Sequence, residues 1–370
     1  MTGSVVIAAG GTGGHLVPAL AIATALQKRA PGTAISFVGT ARELDRTLIP
    51  AAGYRVHTTS VAPFSRDLRG AVAAASMLPA TVQARRILRS EGASVVVGMG
   101  GYPSLPVVAA ARTMRIPALI HEANAIPGLA NEAAARMTRN IAVSFSETVS
   151  LFRGRTPRLV GLPLREAIIT FDRDGLRAEA FESLELTPGL PTVLVFGGSL
   201  GAARLNDAAI GLAARWSARE DIQMVVVTGN AHAAAVRERI EPGKRAVRVL
   251  PFVDRMELAY AAADIAVCRA GASTVHELAV VGLPSVLVPL PIARRREQHA
   301  NARMLVEAGA ATMIEDADAT AGTLGQMLDG MLADPDARAR MSTAARSVAR
   351  PDAAETMAEW ILSLAEARRG

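Results

Sequence analysis

Short runs of Val, Ile and Leu alternate along the chain with longer Ala-rich stretches whose apolar residues return every three or four positions. The first pattern is that of a strand buried on both faces, the second that of a helix with one packed face. Their regular alternation predicts βαβ units and parallel sheets. In the first half, strands are expected at 4–8, 34–38, 56–59, 94–97, 118–121 and 140–143. In the second half they are expected at 192–196, 223–228, 247–250, 265–268 and 285–288.

The two halves echo each other. Val5-Val6-Ile7-Ala8-Ala9-Gly10-Gly11-Thr12-Gly13-Gly14 opens the first, and Val193-Leu194-Val195-Phe196-Gly197-Gly198-Ser199-Leu200-Gly201 the second. Each is an apolar strand, a Gly-Gly pair, a hydroxyl residue, another glycine and a helix, so each half is expected to be a domain. The boundary is placed near Gly161: residues 1–161 form an N-terminal lobe and 162–350 a C-terminal lobe. Residues 351–370 form a terminal helix that packs on either lobe, the N-terminal one included. The polar stretch from Gly161 to Pro191 reads as a linker carrying a helix.

At 370 residues the chain is long enough for two cores, and its 50% apolar content argues against disorder. The single cysteine, Cys268, rules out a disulfide framework or a cysteine-rich zinc site and suits a reducing compartment. The start, Met1-Thr2-Gly3-Ser4, lacks the basic region of a signal peptide, and no apolar run reaches bilayer length. A soluble or peripheral protein is expected. The net charge of +6, carried mostly by arginine, favours phosphates or an anionic membrane surface.

Four glycine-rich turns each follow an expected strand: Gly10–Gly14, Gly98–Tyr102, Gly197–Gly201 and Gly271–Thr274. Such turns let backbone N–H groups approach an anion, with the helix dipole behind them. A tight strand-to-helix turn also needs glycine with no ligand at all. The dinucleotide fingerprint fails, because Leu16 stands where its third glycine belongs and the second strand ends Val38-Gly39-Thr40 with no acid. The Walker pattern is absent as well.

Taken together, several segments resemble the MurG family of peptidoglycan N-acetylglucosaminyltransferases. They are Gly10-Gly11-Thr12-Gly13-Gly14-His15, Gly98-Met99-Gly100-Gly101-Tyr102, His121-Glu122-Ala123-Asn124, Gly197-Gly198-Ser199 with Gly201-Ala202, Cys268-Arg269-Ala270-Gly271-Ala272, Thr274 with Glu277, and Gln298 with Asn301. They run in order across nearly the whole chain. The resemblance implies an α/β protein of the GT-B fold, with two Rossmann-like parallel-sheet lobes and a cleft between them. It implies inverting transfer of GlcNAc from UDP-GlcNAc to the 4-hydroxyl of the MurNAc-pentapeptide on undecaprenyl diphosphate (lipid I), giving lipid II. That step serves cell-wall building, cell shape and division. The expected partners are UDP-GlcNAc, lipid I, the anionic inner leaflet at the cytoplasmic face of the cell membrane and other cell-wall synthesis proteins. No cofactor, metal or nucleic acid is expected. The alternatives are another GT-B UDP-sugar transferase with a different acceptor, a UDP-GlcNAc 2-epimerase of the same architecture, or a non-catalytic nucleotide-sugar-binding subunit.

Residue roles follow from the same resemblance. Thr12, Gly13, Gly14, Asn124, Arg165, Ser199, Val253, Ala272, Ser273, Thr274, Val275, His276, Glu277 and Gln298 are implied at UDP-GlcNAc. Gly10, Gly11, Gly100, Gly101, Tyr102 and Asn301 are implied on the acceptor side. Glu277 suits the ribose hydroxyls, although Thr274-x-x-Glu277 also reads as a capping box. Gln298 and Asn301 share a helix face, where they read sugar hydroxyls or are simply polar surface. His15, in a first helical turn that disfavours imidazolium, is the first candidate for general base, and Glu122 the competing one. His15 otherwise binds diphosphate or caps its helix.

The pairs Asp172-Arg173-Asp174 and Asp316-Ala317-Asp318 follow no expected strand end and read as solvated loop carboxylates. The helix start at Ser273–Thr274 could stabilise the leaving diphosphate without metal. Leu200, Glu297, Leu162 and Ser273 depart from the common family pattern. A stripe of Phe64, Leu68, Val72, Met77, Leu78, Val82, Ile87 and Leu88 interleaves with Arg66, Arg69, Arg85, Arg86 and Arg89 and is interrupted at Pro79. It suits an anionic leaflet, or is an ordinary helix facing its own core.

Overall fold

A computed structural model describes residues 3–59, 68–198, 201–240 and 246–368, without the side chains of 68–75 and 294. The chain divides into two compact units, Met1–Arg165 with Arg350–Gly370, and Glu166–Ala349.

The first unit holds β1 (Ser4–Ala8), β2 (Ile35–Gly39), β3 (Arg55–Thr58), β4 (Ala93–Gly98), β5 (Ala118–Glu122), β6 (Asn140–Val143) and β7 (Arg158–Leu159). They form one parallel sheet in the order β3-β2-β1-β4-β5-β6-β7. The unbroken apolar runs follow from burial on both faces. Val5 and Ile7 pack with Leu16, Ile22 and Leu26 of the helix Gly13–Arg29 and with Met357 and Ile361 of the helix Ala353–Ala367. Val6 and Ala8 face the other way, onto Ala84 and Leu88 of the helix Leu68–Ser90 and Val107 and Val108 of the helix Ser104–Thr113. The C-terminal helix therefore completes the first unit, although a whole domain precedes it in sequence.

The second unit holds β8 (Thr192–Phe196), β9 (Gln223–Val227), β10 (Val247–Leu250), β11 (Ile265–Cys268), β12 (Ser285–Leu287) and β13 (Ala311–Met313), ordered β10-β9-β8-β11-β12-β13. All pairs are parallel. Val193, Val195 and Val267 pack against Leu205 and Leu212 of the helix Ala203–Arg215. Two sheets of the Rossmann kind were expected, and two are present. β7 and β13 were not foreseen, being two and three residues long.

Three local readings change. The stretch after Gly161 is no linker: the helix Arg173–Ser183 belongs to the second unit, where Arg173 pairs with Asp264 at 2.7 Å. The helix Leu68–Ser90 runs through Pro79, forgoing one backbone hydrogen bond. β13 places Asp316 just past a strand end, and Asp316 is paired with Arg269 at 2.6 Å rather than solvated.

Candidate active site

In each sheet the strand order reverses between two neighbours, β1 with β4 and β8 with β11. Ligands of open α/β sheets bind outside the carboxyl ends of the strands at such switch points. The four glycine turns of the sequence are the turns that leave these four strands.

In the first unit the turns after β1 and β4 meet closely. A Cβ on Gly101 would lie 3.2 Å from the Gly10 carbonyl oxygen, and one on Gly100 would lie 3.3 Å from His15 Nε2. Gly100 and Gly101 also have φ of +85° and +72°, so a side chain there would be strained twice over. Gly11 lies under the half-buried Tyr102 ring, with its Cβ position 3.2 Å from Tyr102 Cε1.

His15 is the third residue of its helix, and its Nδ1 lies 3.0 Å from Thr12 Oγ1. Burial pushes its pKa below the usual imidazole value, with the charge of Asp45 acting the other way. The first helical bonds run from His15 N–H and Leu16 N–H to Thr12 O. The N–H groups of Gly13 and Gly14 are thus left without an intrahelical acceptor. Gly11 N–H is not available in the same way: it donates to both oxygens of Asp45 at 3.3 Å.

Glu122 ends β5 and is 3% exposed. Its Oε1 accepts from Asn124 N–H at 2.9 Å; its Oε2 accepts from Gly128 N–H and Asn131 Nδ2, both at 2.9 Å. Burial pushes its pKa up while these bonds oppose the rise. The carboxylate fastens the 123–128 loop, on which Asn124 is half-buried.

In the second unit the helix Ala272–Val281 starts beside β11 with Gly271 as its N-cap. Its first backbone bond runs from Val275 N–H to Gly271 O at 3.0 Å. Ala272, Ser273 and Thr274 therefore present free N–H groups, and no acid stands in the first turn to neutralise the dipole. The capping-box reading fails, because Thr274 lies three residues inside the helix. Val275 and His276 are turned into the core: Val275 is 0% exposed, and His276 Nδ1 lies 2.9 Å from Ala272 O. Glu277 Oε2 accepts from Tyr260 Oη at 2.7 Å. Tyr260 is fully buried, edge-on to Phe196 at the end of β8.

The expected amide pair does share the helix Glu297–Glu307. Asn301, however, is 0% exposed and donates from Nδ2 to Ala270 O at 3.2 Å, so it lies in the core and not at an acceptor surface. Gln298 is half-buried, and its Oε1 accepts from Leu290 N–H at 2.9 Å. Both amides hold turns at the carboxyl edge of the sheet. Val253 is half-buried in the turn after β10 beside the exposed Phe252, and Arg165 is half-buried at the end of the first unit. Gly201 has φ +74°, and a Cβ there would lie 1.9 Å from Thr228 O. Ser199 and Leu200 lie outside the described residues.

Sequence reasoning missed Asp45, Asn131 and Tyr260. Asp45 is 34 residues from Gly11, and Tyr260 is 17 from Glu277, so only the folded topology joins them.

Comparison with known proteins follows this division. The model of the glycosyltransferase family 28 N-terminal domain matches residues 5–143, and that of the C-terminal domain matches residues 192–357. A Clavibacter sepedonicus protein named UDP-N-acetylglucosamine–N-acetylmuramyl-(pentapeptide) pyrophosphoryl-undecaprenol N-acetylglucosamine transferase is 42% identical over 357 residues, covering 96% of this chain and 95% of its own. A Streptomyces coelicolor protein of the same name is 40% identical over 366 residues, covering 98% of this chain and 99% of its own. The crystal structure of Acinetobacter baumannii MurG superposes with a TM-score of 0.77 at 29% identity, covering 98% of this chain and 100% of that one.

Proposed function

The chain belongs to glycosyltransferase family 28, and from that premise we propose that it transfers GlcNAc from UDP-GlcNAc to the 4-hydroxyl of lipid I, with inversion, giving lipid II and UDP. The observation that carries the reading is full-length similarity to proteins of that name, joined to two switch points that each expose helix N–H groups to an anion.

The second unit takes the donor. The N–H groups of Ala272, Ser273 and Thr274 meet the diphosphate, and Glu277, steadied by Tyr260, meets the ribose. As the bond from C1 to the diphosphate oxygen breaks, that oxygen gains charge, and a fixed helix N-terminus stabilises it without reorganising. Asp316 is engaged by Arg269, so the Asp316-Ala317-Asp318 pair is not offered as a metal site, and the chemical step is proposed to need no metal.

The first unit takes the acceptor. Gly13 and Gly14, which the family resemblance puts at UDP-GlcNAc, are assigned to the acceptor diphosphate because their N–H groups open beside His15 in the first unit, and His15 receives the 4-hydroxyl proton. His15 is favoured over Glu122 because Thr12 holds only its Nδ1, whereas both oxygens of Glu122 already accept hydrogen bonds.

Membrane contact belongs to the same unit. Of the apolar stripe, Phe64 and Arg66 lie outside the described residues, as do the side chains of Leu68, Arg69 and Val72. Met77, Ile87 and Leu88 pack on the core, while Leu78 and Val82 are 74% and 43% exposed on the face that carries Arg86 and Arg89. Arg85 reaches Thr113, next to a cavity of about 420 Å³ lined in part by Arg112, Arg136, Arg139 and Arg155. Apolar tips beside arginines fit the anionic cytoplasmic leaflet, which the enzyme meets as a peripheral protein. Among the described residues no helix is long and apolar enough to span a membrane.

Release of UDP that requires both UDP-GlcNAc and a lipid I analogue, and persists after exhaustive chelation, is the expected result. UDP release with donor alone and free ManNAc as the product would place the chain with the epimerases instead. Binding of UDP-GlcNAc without turnover would make it a donor-binding subunit.

A further inference from the structure

We infer that Asp45 is a positioning residue of the acceptor half-site: it folds the Gly10–Gly11 turn from behind and holds a negative charge at the turn that leads into the His15 helix. The inference rests on the reading of His15 as the general base.

The carboxylate is 0% exposed. It accepts from Thr40 N–H at 2.8 Å, from Thr40 Oγ1 at 2.6 Å and from Gly11 N–H at 3.3 Å. The glycines around it are explained by its approach. A Cβ on Gly10 would stand 2.3 Å from Asp45 Oδ2, and one on Gly39 would stand 3.2 Å from it. The Gly10-Gly11 pair, which in sequence looks built for an external anion, is thus closed around an internal one. A phosphate finds Gly11 N–H already taken and a buried negative charge behind it, which directs it to the open N–H groups of Gly13 and Gly14.

No cation neutralises that charge directly among the described residues. Arg42 donates from Nη1 to Gly11 O and so holds the other side of the same peptide turn. His15 is bonded by Thr12 on its own helix and lies against the Gly100 and Gly101 positions after β4; Asn131, which also holds Glu122, meets the same Gly100 position, while Asp45, Arg42 and Tyr102 meet the neighbouring Gly11. Of these, Asp45 is the carboxylate whose charge acts on the ring.

Its part in the chemistry follows. As the acceptor O4 bonds to C1 of GlcNAc and the C1–O bond to UDP breaks, the O4 proton passes to His15 Nε2, the nitrogen not held by Thr12. The electron pair of the broken bond leaves on UDP. The ring becomes an imidazolium, and the fixed negative charge of Asp45 stabilises it as it forms.

The test is the pH profile of kcat and of kcat/KM in the full-length enzyme for wild type, Asp45→Asn, Asp45→Glu and His15→Gln. Removing the carboxylate charge removes an influence that raises the His15 pKa, so in Asp45→Asn the acid limb should move to lower pH. Turnover should fall by roughly two-fold or more, because a weaker base accepts the proton less readily. KM for UDP-GlcNAc should stay within about two-fold, since the donor is held by the other unit. Asp45→Glu, which keeps the charge, should hold the acid limb at its wild-type position while lowering kcat, and it serves if Asp45→Asn does not fold. A displaced limb in Asp45→Glu, or an unmoved one in folded Asp45→Asn while His15→Gln is inactive, would overturn the role of Asp45 alone. Wild-type turnover in His15→Gln would overturn the base reading and this inference with it.

Discussion

Single side chains at the two switch points divide into those that face outward and those that hold others in place. Glu277 and Tyr260 show both parts. The carboxylate is half-buried in the helix Ala272–Val281, and the fully buried phenol donates to it. A hydrogen bond to a charged acceptor contributes about 1.5–3 kcal/mol. Tyr260→Phe keeps the ring against Phe196 but removes its hydrogen bond to the carboxylate, so KM for UDP-GlcNAc should rise about three- to ten-fold with kcat little changed. A steady-state titration of the donor checks this, and an unchanged KM would show that Glu277 does not bind the ribose.

The positions of His15 and Glu277 beside the strand-to-helix turns were legible in the sequence because each sits at a fixed offset from a glycine turn. Asp45 and Tyr260 were not, because their meaning depends on partners brought close only by the sheet order. Asn301 was misplaced for a related reason. An amide three residues from Gln298 looks like surface, and nothing local shows that the helix Glu297–Glu307 presses that face onto Ala270.

At the scale of elements, the period of the apolar residues located eleven of the strands, since runs of Val and Ile buried on both faces leave a strong signal. β7 has only two residues and β13, Ala311-Thr312-Met313, has no Val or Ile, so neither carries such a pattern, and the order of strands within each sheet is not written in any local segment. The helix start near Gly271–Thr274 was legible from its glycine turn; the alternative capping box Thr274-x-x-Glu277 has the right spacing, but Gly271 does the capping.

The turn after β8 also offers a paired test of why glycines stand where they do. Gly198 has φ +89° with nothing near its Cβ position, whereas Gly201 has φ +74° and the Thr228 carbonyl oxygen at 1.9 Å. Gly198→Ala should cost only the left-handed backbone penalty, about 1–2 kcal/mol. Gly201→Ala should add a backbone clash that no rotamer relieves. A thermal melt should therefore show a clearly larger loss for Gly201→Ala, and equal losses would contradict the described turn.

On the scale of the whole molecule, the repeat of two glycine-opened halves made two domains legible. The return of the C-terminal helix to the first unit rests on side-chain packing between Leu16, Met357 and Ile361 across a long sequence gap. The basic face around Arg86 and Arg89 is likewise a property of the assembled unit. Each arginine near an anionic surface contributes about 1 kcal/mol. Arg86→Glu with Arg89→Glu should therefore weaken sedimentation with anionic vesicles by roughly ten-fold or more, and raised salt should weaken the wild type in the same direction. No change in vesicle binding would remove this face from the membrane contact.

That this chain glycosylates a lipid-linked sugar is tested most directly by the fate of a label on the GlcNAc of UDP-GlcNAc. Incubated with a lipid I analogue, the label should enter the lipid fraction as a β-linked disaccharide, in step with UDP release. Label that stays in the aqueous phase, as GlcNAc, ManNAc or untouched donor, would contradict the account.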